Sequence, residues 1–398
     1  MSCKHIRIMA ALLACLVSAG AGEGTDDSNI RLRGSLNNSR IEFERTGRGH
    51  VAFMGGSITE MNGYRPMVME ILERRFPKTE FTFTDAGISS TCSTTGAFRL
   101  ERDVLSRGPV DLFFIEFAVN DDQDAAHQRR ACIRGMEGIL LQLRRHNPAA
   151  DVVITYFVNP PMLEILQQGG VPVSIGAHED VARHYGVSTI HLAGEVAERI
   201  TGGTLTWEQF GGTHPKRPGN ALCADMIEDL LSAAWAGPLQ EDATKRPHPL
   251  PDAPLDANHY GQGRLVDPAE VRLGSGWALR VPVWKNLPGR CRERFADAPL
   301  TCATEPGAEL TLTFTGKAVG AYVLAGPDAG VIEAAVDGRE PRRIDLFHRF
   351  SANLHYPRTV IFEADLEPGE HTLLLRVTGA KNAASSGHAA RVLRFVAN

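Results

Sequence analysis

The sequence lacks the short motifs that mark most metal- and nucleotide-dependent proteins. No C-x-x-C pair and no H-E-x-x-H occurs in its 398 residues, so the spacing gives no support for a protein-bound metal. Neither a P-loop nor a G-x-G-x-x-G turn follows any predicted strand. We therefore expect a protein that works without a cofactor or a bound metal.

Excess positive charge and long apolar segments are also missing. The 42 Lys and Arg residues are outnumbered by 47 Asp and Glu, which leaves a net charge of −5. That balance gives no electrostatic footprint for nucleic acid. No stretch reaches the roughly 18 to 20 apolar residues that a membrane-spanning helix needs. The composition therefore predicts a soluble protein without stable membrane insertion, and it says nothing about the oligomeric state.

The amino terminus has the features of an export signal. Lys4 and Arg7 precede an apolar run over residues 8–19, and small residues follow up to Ala21. This arrangement predicts a signal peptide over residues 1–21 and a secreted or periplasmic protein. A lipid anchor on Cys15 is the less favoured alternative, because apolar residues continue beyond that cysteine.

The cysteine content does not indicate a disulfide framework. Cys3 and Cys15 would leave with the signal peptide, and the five cysteines that remain of the original seven are an odd number in a large chain. Cys291 and Cys302 are the best candidate pair, because they lie close together in a region predicted to be rich in β-structure. Whether they form a disulfide stays open at this point.

The first half of the chain predicts a three-layer α/β domain over residues 22–240. Short apolar runs alternate with helical patterns, which favours parallel strands joined by right-handed helical crossovers. Strands are predicted at 51–54, 81–84, 112–117, 152–157 and 187–190, and helices around 66–76, 133–143 and 220–235.

The second half has a different periodicity. Residues 241–265 are rich in proline and aspartate, hold neither a helical nor a strand period, and are predicted to be a linker. Apolar and polar residues then alternate between turn signals such as Asp337-Gly338, which is typical of an antiparallel β-sandwich over residues 266–398. The predicted strands lie at 310–314, 319–323, 331–336, 360–362 and 373–377.

Groups suited to acyl transfer follow successive strands of the first domain. Ser57 comes after the first strand in GGSIT, Gly87 after the second, and Asn120 after the third. Loops at the carboxyl ends of parallel strands meet at one edge of the sheet. A hydroxyl, an unencumbered backbone N–H and a side-chain amide would supply a nucleophile and oxyanion donors there. His214, in the loop before the last helix, would supply the base.

These four residues resemble the motifs of the SGNH/GDSL hydrolase superfamily. The resemblance covers residues 49–235 and implies a flavodoxin-like sheet of five parallel strands. It further implies that Ser57 is the nucleophile, that His214 is the general base, and that the Ser57 N–H, the Gly87 N–H and the Asn120 amide form the oxyanion hole. The second half resembles the jelly-roll modules attached to some carbohydrate esterases.

The sequence departs from the family pattern at three positions. Gly56 stands where Asp is common, and Ala118 where Gly is common, but neither position carries proton transfer. The third departure is Gly211, which occupies the place of the usual acidic partner of the histidine. The partner would then be Glu208 in a folded-back loop, or a backbone carbonyl in a Ser-His dyad.

Each candidate residue also has a structural interpretation. Ser57 could be only a helix N-cap, and Asn120 and His214 could be ordinary loop residues; their joint order favours the catalytic interpretation. Arg99, Glu101 and Arg102 could shape a substrate cleft, but a charged helix face is favoured. Glu60 could contact substrate or assist His214, but a surface role is favoured. A metal role is disfavoured for His178, Glu179 and Asp180, because consecutive residues point in different directions on a helix.

The predicted export, together with the appended β-sandwich, indicates that the substrate is an ester group on an extracellular polymer. We therefore expect an acetylesterase-like enzyme whose partner is an acylated carbohydrate or another small ester. Two alternatives remain open, because a fold does not fix a function. The first is a lipase, arylesterase or thioesterase of the same superfamily. The second is a catalytically inert glycan-binding protein, which the missing aspartate would favour.

Overall fold

The computed structural model describes residues 29–398. The predicted signal peptide, with Cys3 and Cys15, lies outside the described residues. In the described part, no helix is both long enough and apolar enough to cross a membrane.

A six-stranded sheet forms the centre of the first domain. Its strands are β1 (Ile30–Arg31), β2 (Arg48–Gly55), β3 (Glu80–Gly87), β4 (Leu112–Glu116), β5 (Asp151–Thr155) and β6 (Ser188–Ile190), in the spatial order β1-β6-β5-β4-β2-β3. Strands β2 to β6 pair in parallel, which confirms the predicted parallel sheet. The five predicted parallel strands are all present, and β1 adds a two-residue edge strand that pairs antiparallel with β6.

Helices connect the parallel strands and bury both faces of the sheet. They are α1 (Asn37–Thr46), α2 (Ser57–Glu60), α3 (Tyr64–Arg75), α4 (Ser93–Asp103), α5 (Arg129–His146), α6 (Pro160–Gln167), α7 (Val173–His184), α8 (Leu192–Thr201), α9 (Trp207–Phe210) and α10 (Arg217–Ala234). Helix α5 packs between α4 and α7, and α3 packs against α10. Because helices cover both faces of the sheet, every residue of β4 and β5 is buried, which explains why both strands are largely apolar.

Two antiparallel sheets form the second half, as the sequence predicts. One has the order β15-β12-β17-β10-β9, with β7 also pairing with β17, and the other has the order β14-β13-β16-β11-β8. The strands are β7 (Arg264–Leu265), β8 (Val271–Leu273), β9 (Ala278–Arg280), β10 (Leu300–Ala303), β11 (Glu309–Gly316), β12 (Val319–Ala325), β13 (Gly330–Val336), β14 (Arg342–Asp345), β15 (Tyr356–Glu363), β16 (Gly369–Lys381) and β17 (Ala390–Ala397).

Strand β17 was not expected from the sequence, and its packing explains why. Val392 and Phe395 belong to the core between the two antiparallel sheets, whereas Leu393 and Val396 belong to the core of the first domain. Because both faces of the strand are buried, the strand has no regular polar alternation. The same packing means that the hydrophobic core of the first domain continues into the second.

Polar contacts reinforce this interface. Arg134 on α5 forms ion pairs with Asp365, in the loop after β15, and with Asp256 in the predicted linker. The backbone N–H of Asp256 donates to Glu137, also on α5, at 2.9 Å. The linker segment is therefore held against α5, while the domain boundaries at 240 and 266 remain predictions.

The cysteines of the described part are all free thiols. The expected candidate pair, Cys291 and Cys302, is thus not bonded. Cys302 lies in β10, with its side chain buried at the domain interface, and Cys291 lies in the preceding loop and is half-buried.

Candidate active site

The predicted nucleophile lies at a sharp strand-to-helix turn. Strand β2 ends at Gly55, and α2 begins at Ser57. A Cβ atom on Gly55 would lie 2.2 Å from Glu116 Oε1, and one on Gly56 would lie 2.0 Å from Asn120 Oδ1. Both glycines therefore let neighbouring side chains approach the backbone beneath Ser57. At position 56, where related sequences often carry Asp, the amide of Asn120 fills the space.

Ser57 and His214 meet as the sequence predicts. The Ser57 hydroxyl is within hydrogen-bond distance of His214 Nε2, at 2.7 Å. His214 lies in the loop between α9 and α10, and its residue is exposed, whereas Ser57 is partly buried. This is the geometry in which an imidazole can accept the proton of an attacking hydroxyl.

Among the residues that the structure describes, no acidic side chain contacts this histidine. Within residues 29–398, the only hydrogen bond or ion pair of the His214 side chain is the one with Ser57. Neither Glu208 nor a backbone carbonyl takes the place of the usual aspartate, so both expected substitutes are absent from the described structure. Because His214 is exposed, water can solvate its second ring nitrogen.

Gly211 explains why an aspartate is missing from the usual position. Its φ angle of +108° lies in the left-handed region that disfavours side chains, and an added Cβ would be 2.1 Å from the backbone nitrogen of Lys216. That nitrogen donates to the carbonyl of Phe210 at 3.0 Å and closes the loop. A carboxylate at position 211 is therefore incompatible with this loop conformation.

Gly211→Ala should destabilise the protein more than Gly212→Ala. Both glycines have positive φ angles, +108° and +91°, but nothing lies within 4 Å of a Cβ on Gly212. We expect Gly212→Ala to reduce the free energy of unfolding by about 1 kcal/mol, from backbone strain alone. Gly211→Ala should reduce the free energy of unfolding by at least about 2 kcal/mol more than Gly212→Ala, because the clash also opens the loop that carries His214. Urea unfolding of both variants measures the difference; equal losses would refute the steric explanation.

Asn120 lies beside Ser57, and its amide is held by Asp124, a residue that the second domain contacts. Asn120 Nδ2 donates to Asp124 Oδ2 at 2.7 Å. The Tyr356 hydroxyl, from β15, donates to the other oxygen of Asp124. Asp124 engages one amide hydrogen, so the other can reach a ligand. Burial raises the pKa of Asp124, although its hydrogen bonds with Tyr356 and Asn120 oppose the rise.

Gly87 is less available than the sequence suggests. A Cβ on Gly87 would lie 2.3 Å from the backbone nitrogen of Glu60, so the Gly87 backbone packs against the end of α2. Its N–H, however, donates to Asp85 Oδ1 at 2.9 Å rather than being free. Asp85 also forms an ion pair with Arg65 at 2.9 Å. The Gly87 N–H can stabilise an oxyanion only if it donates to the oxyanion and to Asp85 at the same time, or if its hydrogen bond to Asp85 breaks.

Arg99 is a residue whose place in the site the sequence does not reveal. Its side chain is fully buried and donates to the carbonyl of Gly55 at 3.0 Å and to that of Ala86 at 2.8 Å. These carbonyls directly precede the Ser57 turn and Gly87. An ion pair with Asp103 at 2.8 Å, one helical turn away on α4, balances the charge. The only sequence signal is that i,i+4 pair, within a segment that looks like a charged surface.

Glu116 is a second site residue that the sequence analysis overlooked. It is fully buried at the end of β4, and its Oε1 accepts the N–H of Gly56 at 3.0 Å and the hydroxyl of Thr59 at 2.8 Å. Burial raises the pKa of Glu116 to about 7 despite these hydrogen bonds. A charged residue in the otherwise apolar run of β4 is the signal that could have found it.

The free energy of unfolding of Glu116→Gln should increase relative to that of wild type as the pH rises. Because the folded state raises the pKa of Glu116 from 4.5 to about 7, it binds the proton more tightly than the unfolded chain does. The bound proton stabilises the folded state fully at a pH below the pKa of Glu116 in the unfolded chain. This stabilisation is lost as the pH rises through the pKa of Glu116 in the folded state, which reduces the free energy of unfolding by about 3 kcal/mol. Glutamine keeps the acceptor oxygen and does not titrate.

The measurement is the free energy of unfolding of wild type and Glu116→Gln at about pH 4.5 and about pH 8. We expect the difference between them to shift in favour of the glutamine variant by about 2 to 3 kcal/mol at the higher pH. An unchanged difference would mean that Glu116 does not titrate in this range.

The remaining charged candidates have structural partners. Glu60 accepts the N–H of Ser89 at 2.8 Å and forms an ion pair with Arg294 of the second half, and it does not contact His214. Glu101 is exposed, and Arg102 pairs with Asp103. The side chains of residues 178–180 face three separate partners: His178 contacts Asp121, Glu179 contacts Arg31, and Asp180 contacts Arg129.

Comparison with known proteins finds a family match within the first domain. Residues 53–222 match the GDSL-like lipase/acylhydrolase family, and that range contains Ser57, Gly87, Asn120 and His214. These residues form a GDSL-like hydrolase domain. A GDSL-like hydrolase domain in this chain supports a carboxylic ester hydrolase. No curated protein matches the sequence significantly.

Beyond the GDSL domain, the whole two-domain arrangement has a counterpart among solved structures. A two-domain esterase active on acetylated mannans superposes with a TM-score of 0.73 at 22% identity, over 92% of this chain and 96% of the other. The same esterase co-crystallised with mannopentaose gives a TM-score of 0.72 at the same identity and coverage. At this identity the likeness establishes the fold: a GDSL domain followed by antiparallel sheets.

Proposed function

We propose that this protein is an exported serine esterase that removes acetyl groups from an acetylated polysaccharide or oligosaccharide. The observation that carries the proposal is the 2.7 Å contact between Ser57 Oγ and His214 Nε2 inside a GDSL domain. A nucleophile in direct contact with a base is the minimum equipment for acyl transfer. The contact also argues against an inert glycan-binding protein.

The proposed reaction is a double displacement. His214 takes the hydroxyl proton as Ser57 Oγ attacks the ester carbon, and it then gives that proton to the leaving sugar oxygen. A water molecule, deprotonated by the same imidazole, attacks the acyl-enzyme; acetate is released, and His214 returns the proton to the departing Ser57 oxygen. The backbone N–H of Ser57 and the second amide hydrogen of Asn120 stabilise the oxyanion in both steps.

The pair acts as a dyad. In a triad the carboxylate stabilises the imidazolium that forms during attack, and no such group contacts His214 in the described structure. Exposure of His214 to water partly replaces that support. We expect a slower enzyme than a triad would give.

The second domain supports a carbohydrate substrate in two ways. It contacts the proposed site directly, because Tyr356 holds Asp124 next to Asn120, and Arg294 holds Glu60 at the end of α2. The solved two-domain structures that share this arrangement belong to an esterase active on acetylated mannans. A polymer that lies across both domains would therefore bring its acetyl groups to Ser57.

The substrate class is tested by comparing esters of different size with purified protein. We expect acetate release from acetylated mannan and from a small aryl acetate, and at least about tenfold lower kcat/KM for an aryl ester of a long fatty acid. Faster hydrolysis of the long-chain ester, with no acetate released from any polysaccharide, would favour a lipase instead.

A further inference from the structure

A second nucleophile lies at the domain interface, in a cluster that the proposed esterase mechanism does not use. Cys92 Sγ is 3.9 Å from His127 Nε2. The other ring nitrogen of His127, Nδ1, is 3.6 Å from Asp121 Oδ1. Thiol, imidazole and carboxylate thus follow one another in a line.

The anchoring of Asp121 keeps this line in place. Its carboxylate accepts the backbone N–H of Ser93 at 2.8 Å, the Ser93 hydroxyl at 2.6 Å and His178 Nε2 at 2.9 Å. The side chain is completely buried, and the hydrogen bond with His178 together with the nearby His127 ring holds the pKa of Asp121 far below its usual range despite the burial. A fixed buried anion next to His127 favours the protonated imidazole.

Cys92 has a second source of stabilisation for a negative charge. It is the N-cap residue of α4, an 11-residue helix, and its sulfur lies 3.6 Å from the Thr95 hydroxyl. Burial opposes ionisation of the thiol, but His127 outweighs it, and the net effect lowers the pKa of Cys92. The pKa of His127 moves in the opposite direction and is raised well above its usual value, against the effect of burial.

The thiol and imidazole are reached through a cavity of about 270 Å³ between the two domains. Cys92 and His127 line it from the GDSL domain, and Tyr356 and Arg358 line it from β15. The other titratable groups of the lining are Tyr260 and Asp124, and the Asp124 carboxylate is engaged by Tyr356 and Asn120. Arg358 leaves the cavity with a cation that attracts small anions.

We propose that Cys92 is a reactive thiolate, activated by His127 and Asp121, and that it is the site at which small electrophiles modify this protein. The cavity sets the size of the reagent, and Arg358 favours a reagent that carries a carboxylate. With iodoacetate, the Cys92 sulfur forms a bond to the methylene carbon, and iodide leaves with the electron pair of the broken bond. His127 keeps its proton.

A metal site is the other chemistry that these residues could support. Cys92, Asp121 and His127 each offer a ligand atom, and these atoms lie within 4.8 Å of one another. The contacts of His127 with Cys92 and Asp121, however, use opposite ring nitrogens, and one imidazole cannot present both to a single ion. The line of contacts therefore favours proton transfer along the cluster over chelation.

The test uses the unmodified protein and follows carboxymethylation of each cysteine by peptide mass spectrometry at about pH 6.5, where an ordinary thiol is only about 1% ionised. Cys291 is the internal control, because it is more accessible than Cys92 while burial raises its pKa to about 11. We expect Cys92 to react at least about tenfold faster than Cys291. Faster reaction of Cys291 would overturn the proposal, because exposure alone would then govern reactivity.

His127→Gln separates activation from access. Glutamine keeps a polar side chain of similar reach but cannot hold a proton, so carboxymethylation of Cys92 should slow by about tenfold or more at the same pH. The rate of the folded variant should rise toward the wild-type rate at about pH 10, because a larger fraction of the thiol is ionised there. An unchanged rate at the lower pH would show that His127 does not activate the thiol. This outcome is independent of the esterase proposal, which is tested at Ser57.

Discussion

Ser57→Ala is expected to lower kcat/KM for acetate release by at least about 10⁴-fold. The hydroxyl is the only group that the 2.7 Å contact with His214 places for attack, so its removal leaves only binding and oxyanion stabilisation. His214→Ala should have an effect of similar size, because an unassisted hydroxyl is a weak nucleophile near neutral pH.

The double variant should be scarcely slower than either single variant, because the two residues act as one unit. Ser106→Ala is a suitable control, since Ser106 is exposed and its hydroxyl bonds to the carbonyl of Arg102 on the surface. Wild-type activity in Ser57→Ala would exclude this site. A double variant slower by the product of the two single effects would mean that the residues act independently.

Arg99→Met is expected to cause the second largest loss, in both stability and activity. Methionine keeps much of the buried volume but removes the donors that hold the Gly55 and Ala86 carbonyls, and it leaves Asp103 without its buried partner. Breaking such a pair typically reduces the free energy of unfolding by about 3 to 5 kcal/mol. Because the carbonyls precede Ser57 and Gly87, kcat should fall by about 10²-fold even in the folded fraction.

Arg102→Met provides the matched control for this variant. Arg102 pairs with the same aspartate but is about half exposed, and it holds neither carbonyl. We expect Arg102→Met to reduce the free energy of unfolding by no more than about 1 kcal/mol and to leave kcat unchanged. If Arg99 positions the two loops, its variant should show a reduced kcat at an almost unchanged KM. A pure stability loss, with wild-type kcat in the folded protein, would contradict the positioning role.

The parallel strands of the first domain were predictable because helices bury both of their faces. Residues 112–116 and 151–155 are buried throughout, so their apolar runs have an unambiguous meaning. Strand β1 was not predictable, since two residues are too few to carry a period and pair only at an edge. Strand β17 was missed because one of its faces packs on another domain, which no local pattern records.

Within the site, residues next to glycine turns could be predicted from the sequence. Buried residues that hydrogen-bond to the backbone of those turns could not. Ser57 and His214 meet as expected, because both lie in loops at the carboxyl edge of the sheet. Arg99 and Glu116 are long charged side chains whose burial depends on carbonyls and amides far away in sequence. The expectation of a free N–H at Gly87 failed for a local reason: the Asp85 carboxylate folds back over two residues to accept it.

The most direct test of the proposed mechanism is covalent trapping of the nucleophile. Wild type should react stoichiometrically with an alkyl fluorophosphonate, the phosphonyl group should be found by mass spectrometry on the peptide that contains Ser57, and the modified protein should release no acetate. The same reaction should be slower by at least about 10²-fold in His214→Ala. A wild-type protein that releases acetate but carries no adduct on Ser57, or that carries the adduct on another serine, would contradict the assignment of the Ser57–His214 dyad.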